Sequence, residues 1–303
     1  MSAAARLEIP PALRETCARN SAASAWLAAL PRVVDELARR WALRLGPPFA
    51  AAHAWVAPAE RADGAPAVLK LAFPHFEAEH EADGLRVWNG DGAVRLLEFE
   101  RSHHALLLER LSPGTPLTLR PRVEQDAVLA GLLLRLWRVA IPAQPFRPLA
   151  ELAERWCAEA VARRVAWADA GLMNEGLRLF EELPRTASTR VLLATDLHAG
   201  NVLAAEREPW LAIDPKPFAG DPAYDATQHL LFDVRASLLA DPHEAIHSFA
   251  DLLELSHERV RLWCFARAAL MSGTDPARHW ATELARVLAP EGTPPRLTGR
   301  APR

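Results

Sequence analysis

The passage over residues 195–216 constrains the fold more than any other part of the chain. It reads Thr-Asp-Leu-His-Ala-Gly-Asn and ends in Ile-Asp-Pro-Lys, so Asp196 lies five residues before Asn201, and Asp214 follows thirteen residues after that. The short apolar runs after Asn201 and before Asp214 predict the two strands of a hairpin. Such a hairpin would return Asp214 to the side of Asn201, close to Asp196.

These three side chains are the ones that phosphoryl transfer to a hydroxyl requires. A carboxylate must lie beside the attacking oxygen, and an amide oxygen with a second carboxylate must hold Mg²⁺ on the nucleotide phosphates. Asp196, Asn201 and Asp214 match that set in type, order and spacing. An Asp-x4-Asn spacing alone is common by chance, and a polar turn between two strands is the alternative. The apolar flanks favour the kinase-type site.

The lysines support the same hypothesis independently. Among 35 Lys and Arg residues only Lys70 and Lys216 are lysines. A position that stays Lys in so Arg-rich a chain indicates a need for a compact ammonium. Lys70 ends an apolar β-type run, as the phosphate-contacting lysine of kinases does, and Glu81 eleven residues later is its candidate ion-pair partner. The alternative is a surface lysine at a strand end.

Eight motifs together resemble the aminoglycoside phosphotransferase superfamily, in particular its streptomycin 6-kinase and hydroxyurea phosphotransferase branch. The resemblance runs from about residue 45 to about residue 270, and the Trp-Leu-Ala-Ile-Asp-Pro-Lys-Pro block at residues 210–217 is its most branch-specific part. The motifs lie at residues 67–70, 85–90, 93–97, 106–111, 113–117, 196–203, 209–217 and 220–225.

The resemblance implies an α+β, two-lobed, protein-kinase-like fold that uses ATP and Mg²⁺. Residues 1–111 would form a small N-terminal lobe with an antiparallel sheet that covers the nucleotide. Residues 112–289 would form a larger, mainly helical lobe with the catalytic loop and the acceptor, and residues 290–303 a disordered tail.

The resemblance also implies roles for individual residues. Lys70 would contact the α- and β-phosphates, positioned by Glu81, and the backbone of Glu109 to Leu111 would meet the adenine edge. Asp196 would be the base or orienting group for the acceptor hydroxyl. Asn201 and Asp214 would be Mg²⁺ ligands, and Asp225 would be a buried carboxylate that braces the catalytic loop.

Two departures from the family pattern favour an alternative function. Ala194 and Thr195 stand where relatives usually carry His-Gly. The loop at residues 47–52 reads Pro-Pro-Phe-Ala-Ala-Ala, without the glycines that allow close backbone approach to phosphate. The alternative is therefore a nucleotide-binding pseudokinase, or a degenerate member without transfer activity.

The bulk composition predicts a cytoplasmic protein without nucleic-acid or membrane partners. The net charge is −3 and no basic tract is present. Residues 1–9 lack an apolar signal core, and no apolar stretch is long enough to span a bilayer. Cys17, Cys157 and Cys264 are predicted to be reduced, buried thiols. The expected state is a monomer or a homodimer.

A second catalytic motif competes with the kinase hypothesis. His243, Glu244 and His247 form H-E-x-x-H, which on a helix can bind Zn²⁺ and would indicate a zinc metallopeptidase. The motif follows Asp241-Pro242 directly, so it is predicted to occupy an exposed first helical turn, where a solvated helix start is the other interpretation.

The acceptor is predicted to be a small hydroxylated molecule, and the local charge of the chain predicts that it is cationic. Residues 221–258 include eight acidic residues and a single Arg, Arg235. An acidic wall would suit an aminoglycoside such as streptomycin. The alternative is that these acids cover exposed helix faces. Hydroxyurea and an unidentified hydroxylated metabolite remain open.

Overall fold

The computed structural model describes residues 7–162 and 167–292, and these residues form an α+β fold. The chain divides into two compact units. One comprises the chain up to Gly114 together with Ala205–Arg207, and the other comprises Thr115–Ala204 and the chain from Glu208 onward. Residues 293–303, most of the tail expected to be disordered, lie outside the described residues.

The N-terminal unit is built on a five-stranded antiparallel sheet in the order β1-β2-β3-β5-β4. The first helices precede the sheet and a third helix follows β3. The elements are α1 (Pro11–Ala18), α2 (Ser21–Arg40), β1 (Arg44–Leu45), β2 (Ala54–Glu60), β3 (Pro66–Ala72), α3 (Glu81–Trp88), β4 (Leu96–Glu100) and β5 (Ala105–Glu109).

Helix α2 packs on this sheet through one apolar face. Its buried Leu30, Val33 and Leu37 recur at helical spacing and belong to the same core cluster as Trp55 and Leu69 of the sheet. Helical spacing of apolar residues over 21–45 predicts a helix here, with Pro31 as a break or as the start of a second helix. The helix is confirmed, but Pro31 lies inside one continuous helix, which ends at Arg40, and β1 follows at Arg44.

The sequence over residues 75–88 has a helix-like pattern, but helix α3 is shorter than this stretch. A separate 3₁₀ turn occupies Phe76–Ala78, and α3 starts at Glu81. An acidic side chain in the first turn is favoured by the helix dipole, which explains a start at this residue. The helix stops at Asn89, whose φ of 47° is left-handed, a conformation that Asn tolerates better than most residues.

The C-terminal unit is mainly helical. Strand β6 (Pro113–Pro116) spans the division between the two units. The following elements are α4 (Arg122–Leu136), α5 (Leu149–Ala162), α6 (Ala170–Glu182), β7 (Val191–Leu193), β8 (Val202–Ala205), β9 (Trp210–Ala212), β10 (Phe218–Gly220), α7 (Pro222–Phe232), α8 (Arg235–Ala240), α9 (Pro242–Leu252), α10 (His257–Met271) and α11 (His279–Leu288).

Helix α10 is the centre of this unit. It is buried almost continuously from Trp263 to Leu270 and packs against α6, α7, α9 and α11. Gly176 allows α6 to approach closely, since a Cβ atom there would lie 2.4 Å from the Cβ of Ala269. Two short antiparallel pairs, β7 with β10 and β8 with β9, carry the loops that the sequence singles out.

Candidate active site

Lys70 and Glu81 form a buried ion pair in the N-terminal unit. Lys70 Nζ donates to both Glu81 carboxylate oxygens, at 2.6 and 2.8 Å. Lys70 comes from β3 and Glu81 from the first turn of α3, and they are only 7% and 3% exposed. Their mutual attraction compensates each for the loss of water. The structure thus fixes the ammonium in one place, as a phosphate-binding lysine requires.

The segment proposed to meet adenine begins at the end of β5. The backbone N–H of Glu109 donates to the carbonyl of Arg95 at 3.0 Å and is therefore engaged within this unit. The Glu109 carboxylate accepts from Arg207 at 2.6 to 3.1 Å. Arg207 also donates to the carbonyls of Gly90 and Ala93. This arginine, which sequence reasoning missed, ties three segments of the N-terminal unit together.

The glycine-poor loop at residues 47–52 folds without backbone strain. Phe49 N–H donates to the carbonyl of Val56, and Ala51 N–H to that of Phe49. The left-handed non-glycine residues of the described chain are elsewhere, at Ala42, Asn89, His104, Thr195, Asp214 and Glu254. The loop therefore reaches its own conformation with alanine where relatives have glycine.

Asp225 braces the loop before Asp196 from the first turn of α7. Its carboxylate accepts from the backbone N–H groups of Ala194 and Thr195, at 3.0 and 2.8 Å, and from Trp137 Nε1 at 3.0 Å. Burial raises the pKa of Asp225 to about 6, and the three donors oppose that rise. The two residues that depart from the family pattern are therefore both held through their backbones.

The side chain of Thr195 supplies a further brace. Its φ of 48° is left-handed, the region where relatives' glycine costs less. Thr195 Oγ1 donates to the carbonyl of Lys216 at 2.5 Å, and Lys216 N–H donates to the carbonyl of Ala194 at 2.9 Å. Glycine could not make the hydroxyl contact. The loop around Asp196 is thus cross-linked to the segment that follows Asp214.

Asp196 is held by donors on both carboxylate oxygens. Lys216 Nζ donates to Oδ2, and Gln228 Nε2 donates to Oδ1 at 2.7 Å. Gln228 Oε1 in turn accepts from the guanidinium of Arg267 at 2.8 Å. Arg267 is only 2% exposed and lies over the rings of Trp156, Tyr224 and Phe232. A rigid chain of contacts therefore orients the carboxylate.

Sequence reasoning did not select Gln228 or Arg267, although both leave a signal. Gln228 lies three residues after Asp225 on α7, so the two share a helix face. Arg267 interrupts the apolar run of α10, and a charge inside such a run indicates a buried partner.

Asn201 and Asp214 lie at the open end of the β8–β9 hairpin. The register pairs Val202 with Ala212, and the N–H of Ile213 donates to the carbonyl of Asn201 at 2.8 Å. Asn201 Nδ2 donates to the Asp196 carbonyl at 3.0 Å, which places Oδ1 on the other side of the amide. An amide oxygen and a carboxylate are ligands that suit Mg²⁺. The donor set at this hairpin end therefore fits that ion.

A second network supports the loop between Asp196 and Asn201. Asp233 accepts from the N–H of Ala199 at 2.6 Å and lies 2.8 Å from His229 Nδ1. His229 Nε2 lies 2.7 Å from Asp126. His229 is buried, which lowers its pKa, but the two flanking carboxylates outweigh this and raise it above its usual value. Sequence reasoning missed this network because it joins α4, α7 and the loop.

The H-E-x-x-H motif does not form a metal site. It lies at the exposed start of α9, where Asp241 caps the helix by accepting from Glu244 N–H at 3.0 Å. The His247 ring stacks on His257 at 4.3 Å, and Glu244 accepts from Ser248. Within residues 7–162 and 167–292, no group of three His, Cys, Asp or Glu side chains could hold a metal ion. The solvated helix start is thus the better interpretation.

The acids between residues 221 and 258 serve two separate roles. Asp221, Asp225 and Asp233 are largely buried and bind donors of the protein itself. The other five are exposed: Glu244, Asp251 and Glu258 lie on helices, Asp241 caps α9, and Glu254 lies in the turn before α10. Three of the eight acids are therefore engaged in buried contacts, and five face solvent.

The cysteines and helices agree with the bulk composition. Cys17, Cys157 and Cys264 are free and buried, and burial raises the pKa of Cys157 to about 11 and that of Cys264 to about 12. Among the helices that the structure describes, none is long and apolar enough to cross a membrane.

Comparison with known proteins agrees with this geometry. The structure is similar to that of a choline kinase from Streptococcus pneumoniae, with a TM-score of 0.61 and 13% sequence identity over 86% of this chain and 97% of that one. The fold is therefore that of the protein-kinase-like small-molecule phosphotransferases.

The sequence comparisons define the family. Residues 40–279 match the family described as aminoglycoside/hydroxyurea antibiotic resistance kinase. The chain is 44% identical to streptomycin 6-kinase of Streptomyces glaucescens, over 74% of this chain and 75% of the relative. It is 40% identical to hydroxyurea phosphotransferase of Kitasatospora aureofaciens, over 86% and 78%. The chain belongs to this family of kinases, which phosphorylate hydroxyl groups.

Proposed function

We propose that the protein is an ATP- and Mg²⁺-dependent O-phosphotransferase that phosphorylates a hydroxyl group of a small molecule. The observation that carries this proposal is the environment of Asp196, whose two carboxylate oxygens accept from Lys216 and Gln228. A carboxylate held in this way can receive an acceptor hydroxyl in one fixed orientation. Orientation of this kind contributes much of the catalysis in phosphoryl transfer.

Each unit contributes separate functions to this proposal. In the N-terminal unit, Lys70 binds the nucleotide phosphates, Glu81 holds its ammonium in place, and the backbone from Glu109 to Leu111 receives the adenine edge. These roles rest on the buried ion pair and on the position of the segment at the end of β5.

In the C-terminal unit, Asp196 accepts or orients the proton of the acceptor hydroxyl. Asn201 and Asp214 would hold Mg²⁺, which neutralises charge on the nucleotide phosphates when bound. Asp225 keeps the loop in place through two backbone N–H groups. Its contribution is to geometry, because its carboxylate is 1% exposed and already engaged by donors.

The pseudokinase alternative rested on Ala194, Thr195 and the loop at residues 47–52. Asp225, the Thr195 hydroxyl and Lys216 replace the missing loop support. The loop at residues 47–52 folds without glycine, so its alanines have little effect on the fold. We therefore favour an active enzyme, and ATP binding without turnover would indicate the pseudokinase instead.

For the acceptor, we propose streptomycin or hydroxyurea, the molecules in the names of the two relatives. Streptomycin carries cationic guanidino groups, whereas hydroxyurea is small and neutral. Activity on streptomycin would therefore support the prediction of a cationic acceptor, whereas activity on hydroxyurea alone would support only the broader prediction of a hydroxylated acceptor.

Mg²⁺-dependent ADP release by the purified protein tests this function. The assay compares streptomycin, hydroxyurea and a panel of hydroxylated metabolites, each with the wild-type protein and with Asp196→Asn. We expect an acceptor to stimulate ADP release and the substitution to abolish that stimulation while ATP binding, measured by calorimetry, persists. Full turnover in Asp196→Asn would contradict the assigned role of this carboxylate.

A further inference from the structure

Both lysines of the chain pair with a carboxylate of the proposed site. Lys70 pairs with Glu81, and Lys216 pairs with Asp196. The first pair is buried, whereas the Lys216 side chain is 19% exposed and reaches the carboxylate from a loop. In this Arg-rich chain the second lysine therefore also marks a position where a compact ammonium lies beside the proposed reaction.

The backbone of Lys216 is fixed at two points. Its N–H donates to the Ala194 carbonyl at 2.9 Å, and its own carbonyl accepts from Thr195 Oγ1 at 2.5 Å. The two partners directly precede Asp196 in the chain. Lys216 also follows Asp214, a proposed metal ligand, by two residues. The ammonium therefore reaches Asp196 from a backbone that is fixed beside that residue.

Orientation of Asp196 does not by itself explain this ammonium. Gln228 already donates to Oδ1 at 2.7 Å and is itself fixed by the buried Arg267. A second neutral donor would serve that orientation equally well. The positive charge is therefore better explained by negative charge that reaches this place during the reaction.

We propose that Lys216 is a catalytic residue whose ammonium leaves Asp196 and binds the oxygens of the phosphoryl group during transfer. This inference rests on the proposed function. In the step, the acceptor oxygen forms a bond to the γ-phosphorus while the bond to the β,γ-bridging oxygen breaks. The electron pair of the broken bond stays on ADP, and the hydroxyl proton passes to Asp196. Lys216 then neutralises charge on the non-bridging oxygens.

The proposal also gives a reason for the pair in the absence of substrate. With no phosphoryl group present, the Lys216 ammonium pairs with the Asp196 carboxylate. Arrival of the acceptor hydroxyl at Asp196 and of the phosphoryl group at Lys216 would separate the two. Asp196 would then accept the proton of that hydroxyl.

Three variants test this inference by steady-state kinetics. Lys216→Ala removes the positive charge, Lys216→Arg keeps a positive charge on a larger group, and Arg135→Ala is the matched control. Arg135 pairs with Glu208 in the same unit, is likewise partly exposed, and lies outside the proposed site. We expect kcat of Lys216→Ala to fall by about 100-fold or more, as for loss of one preorganised donor to a transition state. The KM for ATP should stay within about threefold, and Arg135→Ala should keep wild-type kcat.

Rescue by added amines separates catalysis from structural support. Ethylamine can bring an ammonium to the space that Lys216→Ala vacates, so we expect it to restore part of kcat in a saturable manner. A side chain that only supports the loop would not be replaced in this way. Lys216→Arg should lose less activity than Lys216→Ala, because it keeps a cation in place.

Two results would overturn the inference while leaving the proposed function intact. One is a Lys216→Ala variant whose kcat stays within about threefold of wild type. The other is a large loss of kcat that ethylamine does not reverse and that accompanies a lower unfolding temperature, as expected for loop support. If the wild-type protein transfers phosphate to no acceptor, the proposed function fails and the inference fails with it.

Discussion

Removal of the Lys70 ammonium should destabilise the N-terminal unit as well as weaken nucleotide binding. Lys70 Nζ lies 2.6 and 2.8 Å from the two Glu81 oxygens, and both side chains are almost fully buried. At that separation and an effective dielectric constant of about 20, the gross attraction is about 6 kcal/mol. Most of this offsets the cost of desolvating the two charges.

The single and double variants should therefore differ in their free energy of unfolding. Lys70→Met removes the ammonium that pairs with the buried Glu81 carboxylate, and we expect the free energy of unfolding to fall by about 3–5 kcal/mol. Lys70→Met combined with Glu81→Leu removes both charges and should recover stability to within about 1 kcal/mol of wild type or above. Neither variant should bind ATP normally, because both lack the ammonium.

Urea-induced unfolding and ATP titration calorimetry measure the two effects. The matched control is Arg32→Met, which breaks the exposed pair with Glu36 on α2 and should cost less than about 1 kcal/mol. If Lys70→Met proves as stable as the control, the buried pair does not carry the energy assigned to it. If the double variant binds ATP like wild type, Lys70 is not a phosphate ligand.

Three further expectations concern the framework. Burial raises the pKa of Asp225 to about 6, so the folded protein binds a proton on this carboxylate more tightly than the unfolded chain does. The free energy of unfolding should therefore fall by about 3 kcal/mol from about pH 4 to 6. Urea titrations of Asp225→Asn should lack this pH dependence. Arg207→Ala should cost about 2–3 kcal/mol of unfolding free energy, since Glu109 and two carbonyls lose a charged donor; an unchanged urea midpoint would contradict this. Gly176→Ala should lower stability by about 1–3 kcal/mol, because its Cβ would meet Ala269 at 2.4 Å, and thermal unfolding measures it.

Sequence reasoning succeeded where the proposed site residues lie on elements that are close together in the chain. The apolar runs beside Asn201 and Asp214 became strands β8 and β9, and their pairing joins the two residues at one end of the hairpin. Lys70 and Glu81 lie on adjacent elements of one small unit, so their spacing was informative. Local hydrogen bonding and short loops determine such features.

The supporting contacts were beyond sequence reasoning because they depend on how distant helices pack. Arg267 reaches Gln228 only because α10 lies against α7, 39 residues away in the chain. Arg207 reaches Glu109 across 98 residues. The continuation of α2 through Pro31 likewise depends on its apolar face, which packs into the sheet core and outweighs the local preference for a break.

The most direct test of the central claim is detection of the phosphorylated product. The protein, ATP, Mg²⁺ and streptomycin or hydroxyurea are incubated, and ³¹P NMR with mass spectrometry follows the acceptor. We predict a new phosphate ester signal and an acceptor mass increased by one phosphoryl group, both absent with Asp196→Asn. ADP accumulation without any phosphorylated acceptor, or equal product from Asp196→Asn, would contradict the account.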